Sequence, residues 1–464
     1  MKNLFVVMFF FVLTQMSCKY YSQSSDLDLL RKYEKQTKEI LDSALENRKG
    51  YNYLTELCGF GHRLSGSDNS IKAIKWAEAK MKELGFDNVW LQPVMVPRWV
   101  RGNVEKATIV NSRQFNGRKL SISALGRSIG TEKNGITAGV LEVKSTKELK
   151  ALGYKVKGKI IFVNKHFNET NFNTFTSYGE VANERYNGPL ECAKYGAVAM
   201  ILRSATSKYD NIPHTGVTAP FDSLKAIPSA AIGLIDADFL SKALQKDPDL
   251  KIKLNLSCKN EDEVQSYNVI GEIKGSEFPE EVIVIGGHFD CWDVSCGAHD
   301  DGAGCIQTME VLDLFKRLNI KPKRTVRCVF FINEENGTRG GIEYGKYAKA
   351  SGEKHIAAIE SDRGAFTPRG FYVDSDSVKY GKIKMWLPLL EETGIDWIKK
   401  GGSGVDISKI ESCKTKIGFV PDWQHYFDYH HSANDEIDAV SPRELELGTA
   451  AIAIMTLLLS EEGI

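Results

Sequence analysis

Residues 281–304 read EVIVIGGHFDCWDVSCGAHDDGAG, and the reading of the whole chain turns on them. The β-branched run Val282–Ile285 predicts a buried strand, which Gly286 and Gly287 bring to an end. His288 and Asp290 follow at once, then Asp300 and Asp301 in a glycine-rich loop. Imidazole and carboxylate are the ligands divalent zinc takes where a site must stay open for chemistry. A buried strand that ends in such groups delivers them to the carboxyl edge of a sheet, where α/β proteins keep their sites. A single His-x-Asp carries little weight, because the pair more often makes no more than a loop hydrogen bond.

Three later segments repeat the arrangement. TVRCVFFINEEN (residues 325–336) runs from an apolar strand into Glu334 and Glu335. HIAAIESDRG (residues 355–364) ends its apolar run at Glu360 and Asp362, and DYHHSANDEID (residues 428–438) sets His430 and His431 in a polar loop. Each alone has an ordinary explanation: a solvated Glu pair, a turn-forming Asp, a surface His pair. Four such groups in the same place relative to a strand make a two-metal hydrolase site the better reading. Two glutamates ending a buried strand are not explained by solvation. One needs a metal's charge to stay ionised and the other needs the attacking water, and the residues alone do not say which is which.

The order His288, Asp300, Glu334–Glu335, Asp362, His431 resembles the co-catalytic di-zinc aminopeptidase and carboxypeptidase family. So do RLSGS (residues 63–67), KELGF (82–86), QPVMVPRWVRG (92–102), IPHTG (212–216) and IPSAAI (227–232), which resemble a secreted carboxypeptidase branch of it. The resemblance implies an α/β fold, with a mixed central sheet flanked by helices and an inserted β-rich protease-associated domain. It implies two Zn2+ per chain: His288 and Asp362 on one, Glu335 and His431 on the other, and Asp300 bridging both. A hydroxide shared by the two cations would attack the peptide, with Glu334 as general base. Asp290 is expected to accept from the His288 imidazole without touching metal, and Asp301 and His299 to support the bridge. Many members of the family carry a tyrosine just before the last histidine ligand, to stabilise the oxyanion. His430 stands there in this chain and is expected to inherit the role, with Tyr426 and Tyr429 as alternatives.

Composition agrees with a secreted globular enzyme. The chain has 464 residues, ample for a large core and more than one domain, and 60 basic against 60 acidic residues give zero formal charge. That balance offers no field for nucleic acid or an anionic membrane. A basic residue, the apolar run Leu4–Leu13 and then small polar residues predict a signal peptide over 1–20, too short to span a bilayer. Gln15 stands where a lipobox ahead of Cys18 wants an aliphatic residue, which argues against a lipid anchor. The expected destination is the secretory pathway, extracellular or lysosomal. Nine cysteines become eight once Cys18 is removed. For Cys291 and Cys296 the expectation is a local disulfide or inert buried thiols. Sequons occur at Asn168, Asn255 and Asn336, the last placed awkwardly for a glycan beside the glutamates.

Patterning divides the rest. Residues 21–45 are polar and helix-prone, and the resemblance makes them a propeptide, hence a zymogen; the alternative is a plain surface helix. Residues 46–125 open the catalytic domain with an amphipathic helix, and 126–265 switch to short β runs broken by Gly, Pro and Asn, the expected insert. Residues 266–464 complete the catalytic domain, and the closing apolar run TAAIAIMTLLL predicts a core helix. The expected activity is a metallo-exopeptidase of dipeptidase or carboxypeptidase type, acting on dipeptides and short peptides with free termini. Homodimerisation is implied by the resemblance alone. A non-catalytic ectodomain on the same fold would be free to lose Glu334 and the ligands, all of which are present. A cyclase-type acyltransferase would lack the insert.

Overall fold

The computed structural model describes residues 28–221 and 224–464; the leader expected at 1–20 lies outside them. One eight-stranded sheet runs in the order Asn88–Val100, Lys259–Ile273, Arg324–Phe331, Phe278–His288, Lys354–Glu360, Lys416–Pro421, Pro368–Asp374, Trp397–Lys400. Its centre is parallel: Phe278–His288 pairs with Arg324–Phe331 on one side and with Lys354–Glu360 on the other, and Lys416–Pro421 extends the ladder. The register sets His288 opposite Phe331 and Gly286 opposite Glu360. Three strands therefore run out at one edge, and the residues that follow each of them are brought there together. These central strands read as continuous apolar runs because both faces are covered.

Helices Lys49–Cys58, Ala303–Arg317 and Pro442–Glu462 pack over one face in a single large core. Tyr344, Ala348, Ile407 and Ile410 cover the other. Pro442–Glu462 starts where Ser441 accepts from the Glu444 amide and Pro442 takes the first turn. Its buried leucines and isoleucines each contribute about 1.5–3 kcal/mol, which explains an apolar C-terminus without a bilayer. No described helix is long and apolar enough to cross a membrane. The helix over residues 28–47 buries Ile40, Leu41 and Ala44, and Tyr33 Oη donates to Glu462 Oε1 at 2.5 Å. It is a docked element of this lobe.

A second eight-stranded sheet runs in the order Lys119–Leu120, Glu105–Val110, Lys251–Leu256, Ile136–Val143, Ile160–Val163, Ala199–Arg203, Ser229–Ile232, Ile122–Ala124. It is mixed, with four parallel strands from Ile136 to Ile232, and helices Thr174–Tyr186, Gly188–Lys194 and Leu234–Lys246 accompany it. Its ladder begins ahead of residue 126 and closes ahead of residue 265, since Lys259–Ile273 already belongs to the first sheet. The inserted lobe reaches the C-terminal loop directly. His214 Nδ1 lies 2.7 Å from the His430 carbonyl, and the Thr215 amide donates to the His431 carbonyl at 2.9 Å.

Candidate metal centre

Asp300 lies between two groups of donors. Its Oδ1 is 3.2 Å from His288 Nε2, which is itself 3.4 Å from Asp362 Oδ1. Its Oδ2 is 3.4 Å from His431 Nε2, which lies 2.9 Å from Glu335 Oε2. His430 Nε2 stands 3.8 Å from the same Asp300 oxygen, with its ring stacked 3.5 Å from that of His431. Potential ligand atoms of His288, Asp300 and Asp362, and again of Asp300, His430 and His431, fall within 4.8 Å of one another. All five ligands expected from the sequence are thus brought together, and His430 joins them on the Glu335 side.

The backbone around the site is fixed by partners of its own. His288 donates from its amide to Asp301 Oδ2 at 3.0 Å, and Asp435 accepts from the amides of His299 at 2.7 Å and Asp300 at 3.0 Å. Asn333 and His431 sit at φ 71° and 60°, conformations a non-glycine residue holds only when its surroundings insist.

Charge is the dominant feature. Burial raises Glu334 to about 8, with the neighbouring charges of Asp362, Asp290 and Asp300 adding to it, and lifts Glu335 well above the carboxylate range. Burial alone would lower His288, but Asp362, Asp300 and Glu334 outweigh it and hold the ring well above its ordinary pKa. Burial would raise Asp300, but the three histidines around it pull it below the usual range. Burial drops His430 to about 3, so its imidazole is neutral. Asp300 Oδ2, Glu335 Oε1 and Asp290 Oδ2 are buried without a hydrogen-bond partner. Packed carboxylates with orphaned oxygens, set against imidazole nitrogens, are a donor set that suits divalent cations of zinc's type.

The profile of peptidase family M28 matches residues 268–455. Carboxypeptidase Q of Bos taurus is 34% identical, over 86% of this chain and 83% of its own length. Carboxypeptidase Q of Xenopus laevis is 32% identical, over 99% of this chain and 98% of its own. The chain belongs to peptidase family M28. A crystal structure of a peptidase M28 precursor from Shewanella amazonensis superposes with a TM-score of 0.88 at 32% identity, covering 94% of this chain and 98% of that one. A zinc aminopeptidase from Bacillus subtilis shares the fold at a TM-score of 0.62 and 21% identity, over 87% and 93% of the two chains.

Within this M28 peptidase, the support for His288 differs in detail from the expectation, whereas the thiols and Asn336 follow readings the sequence allowed. The acceptor for His288 Nδ1 is the Asp290 backbone carbonyl at 2.9 Å, while the Asp290 carboxylate accepts from the Glu334 amide at 3.0 Å. The Asp290 carbonyl thus faces the ring, and its side chain reaches the neighbouring strand end. Cys291 and Cys296 are free buried thiols, not a disulfide, and burial raises Cys291 to about 12. Asn336 is buried with its Oδ1 accepting from Ser65 Oγ, which leaves no room for a glycan. Tyr429 packs on His299 and Phe366, whereas Tyr426 and His430 face a cavity of about 440 Å3 above the site. That cavity is also lined by Arg127, Tyr178 and Arg185 of the inserted lobe. Arg185 Nη1 is 3.3 Å from His431 Nδ1, and its Nη2 donates to Tyr178 Oη at 2.6 Å. Neither these residues nor Asp435 was singled out by sequence. Asp435 carried one available signal: it shares the loop of the histidines.

Proposed function

We propose that this M28 peptidase is a secreted di-zinc exopeptidase that hydrolyses dipeptides and short peptides with free termini. The observation that carries the reading is the placement of Asp300, with one oxygen toward His288 and Asp362 and the other toward His431 and Glu335. His288 and Asp362 would hold one zinc, Glu335 and His431 the other, and Asp300 both. When bound, such a pair polarises the scissile carbonyl and makes the attacking water more acidic. Glu334 is held from behind by the Asp290 carboxylate and faces the same cavity. It takes the proton of the attacking water and passes it to the leaving amine, a role that favours a carboxylate whose pKa lies near the working pH. His430, neutral and fixed against His431, donates to the developing oxyanion.

The substrate class follows from the walls. At about 440 Å3 the cavity is at the small end of the roughly 300–1,000 Å3 typical of small-molecule sites, and the inserted lobe closes one side of it. The acidic cluster attracts a free ammonium group. Export is expected from the leader. The test measures hydrolysis of a dipeptide, its N-acetylated form and a long peptide blocked at both ends, with zinc and with a chelator. The free dipeptide is cleaved fastest and only with metal; efficient cleavage of the doubly blocked peptide would mean an endopeptidase and end this reading.

A further inference from the structure

Two arginines, Arg127 and Arg185, line this cavity, and among the described residues neither has a carboxylate partner. Arg127 lines the wall in company with Glu334, Glu335 and Asp362, and its guanidinium donates to two backbone carbonyls, Thr218 at 3.3 Å and Asn336 at 2.5 Å. Among the described residues it forms no ion pair with a carboxylate. A guanidinium has five N–H donors in a planar fork; the two carbonyls and the neighbouring Tyr186 hydroxyl take three, so two remain for something else. Burial lowers the Arg127 pKa, as expected for a charge that has lost water and gained no anion. Arg185, the other arginine on the wall, is more deeply buried and committed to Tyr178 and His431.

The backbone at Arg127 is built to hold that side chain. The residue sits at φ 64°, where a non-glycine residue is disfavoured by about 1 kcal/mol or more. Its loop is pinned all round. The Gly126 amide donates to the Gly216 carbonyl at 3.0 Å, the Thr218 amide to the Gly126 carbonyl at 3.1 Å, and Asn260 Nδ2 to the Arg127 carbonyl at 3.1 Å. Through Asn336, the guanidinium touches the residue that follows Glu335. A half-buried cation held in a strained backbone on the wall of this cavity, with no carboxylate partner among the described residues, has the properties of a binding residue awaiting an anion.

A free peptide offers one anion at a fixed distance from its scissile bond, the terminal carboxylate. We infer that Arg127 receives the α-carboxylate of the substrate's C-terminal residue, and so determines specificity for peptides ending one residue past the scissile bond. The assignment rests on the exopeptidase reading above. The planar fork fits a carboxylate with two parallel N–H···O bonds, and a neutral carboxamide, itself carrying N–H donors, is a poor replacement.

The experiment compares three substrates on zinc-loaded protein: a dipeptide X-Ala, its amide X-Ala-NH2, and X-Glu-NH2, which moves the carboxylate to the side chain. Wild type should prefer X-Ala over both amides, and Arg127→Gln should raise KM for X-Ala about 10- to 100-fold, with the loss in KM rather than kcat. The ratio of kcat/KM for acid over amide then falls toward one, and Arg127→Lys recovers part of it. Equal losses on all three substrates would make Arg127 a strut between the lobes. Wild-type indifference between X-Ala and X-Ala-NH2, or X-Glu-NH2 matching X-Ala, would equally overturn the assignment while leaving the exopeptidase intact. No zinc-dependent hydrolysis of any of the three would remove the reading beneath it.

Discussion

In the proposed mechanism Asp300 and Glu334 separate the two things a metallopeptidase site must do, hold cations and move a proton. Glu335 lies 2.9 Å from His431 Nε2, whereas the Glu334 amide is anchored on Asp290. Replacing Glu334 with glutamine preserves shape and removes the proton acceptor. Glu334→Gln should retain metal while kcat falls about 10²- to 10⁴-fold, measured by steady-state kinetics beside zinc content. Loss of zinc in that variant would show that the two glutamates exchange roles. Among the proposed ligands, His288, Glu335 and Asp362 could be read from sequence because each is a metal-binding type placed close behind an apolar run. Asp300 and His431 stand in loops and are pointed to by the order the family resemblance implies. Arg127 and Asp435 could not be read in either way. Each is a single loop residue whose meaning comes from partners far away in the chain: Thr218 and Asn336 for one, the amides of His299 and Asp300 for the other.

Among the elements, the strand ends did most of the placing. Val282–Ile285 and Ile356–Ile359 are apolar throughout, and Val326–Ile332 is apolar but for Arg327, because both sheet faces are covered, and that signal survives in sequence. Short runs such as Ile160–Val163 and Ala199–Arg203 reveal a buried strand without saying which neighbour it joins, so the parallel ladder of the second sheet was not legible. One close approach between the lobes depends on Gly126. A Cβ there would lie 1.9 Å from Trp292 Cη2, and the Trp292 ring packs 5.8 Å from that of His431. Gly126→Ala must displace a rigid indole that borders the metal centre. It should cost about 1–3 kcal/mol in denaturant unfolding and weaken zinc binding. A variant within 0.5 kcal/mol of wild type (about the scatter of neutral surface changes) would show that the loop simply moves aside.

At the scale of the whole molecule, the buried acids tie stability to pH and to metal. Glu334 is raised to about 8 and Glu360 and Asp435 to about 7, all by burial first, and His288 is also held above its ordinary value. Their folded pKa values exceed the unfolded ones, so above about pH 4 these groups bind more protons in the folded chain than in the unfolded one. The stability this provides is lost as pH rises through 7 and 8. His214, His299 and His355, lowered to about 4 by burial, His430, lowered to about 3, and His431, also lowered, act in the opposite sense, but only up to about pH 6.5. From pH 6.5 to 8 the metal-free protein should therefore lose melting temperature. The zinc-loaded protein, with cations offsetting the carboxylates, should lose less, and the gap in Tm should widen with pH. A constant gap would mean that these acids do not sense the metal. The most direct test of the account is the zinc stoichiometry of chelator-stripped, reloaded protein, wild type beside Asp300→Ala, read by elemental analysis. Two zinc ions per chain in the wild type, and loss of tight binding at both sites when the shared carboxylate goes, is the predicted result. A single tight zinc in the wild type, or two retained without Asp300, would contradict it.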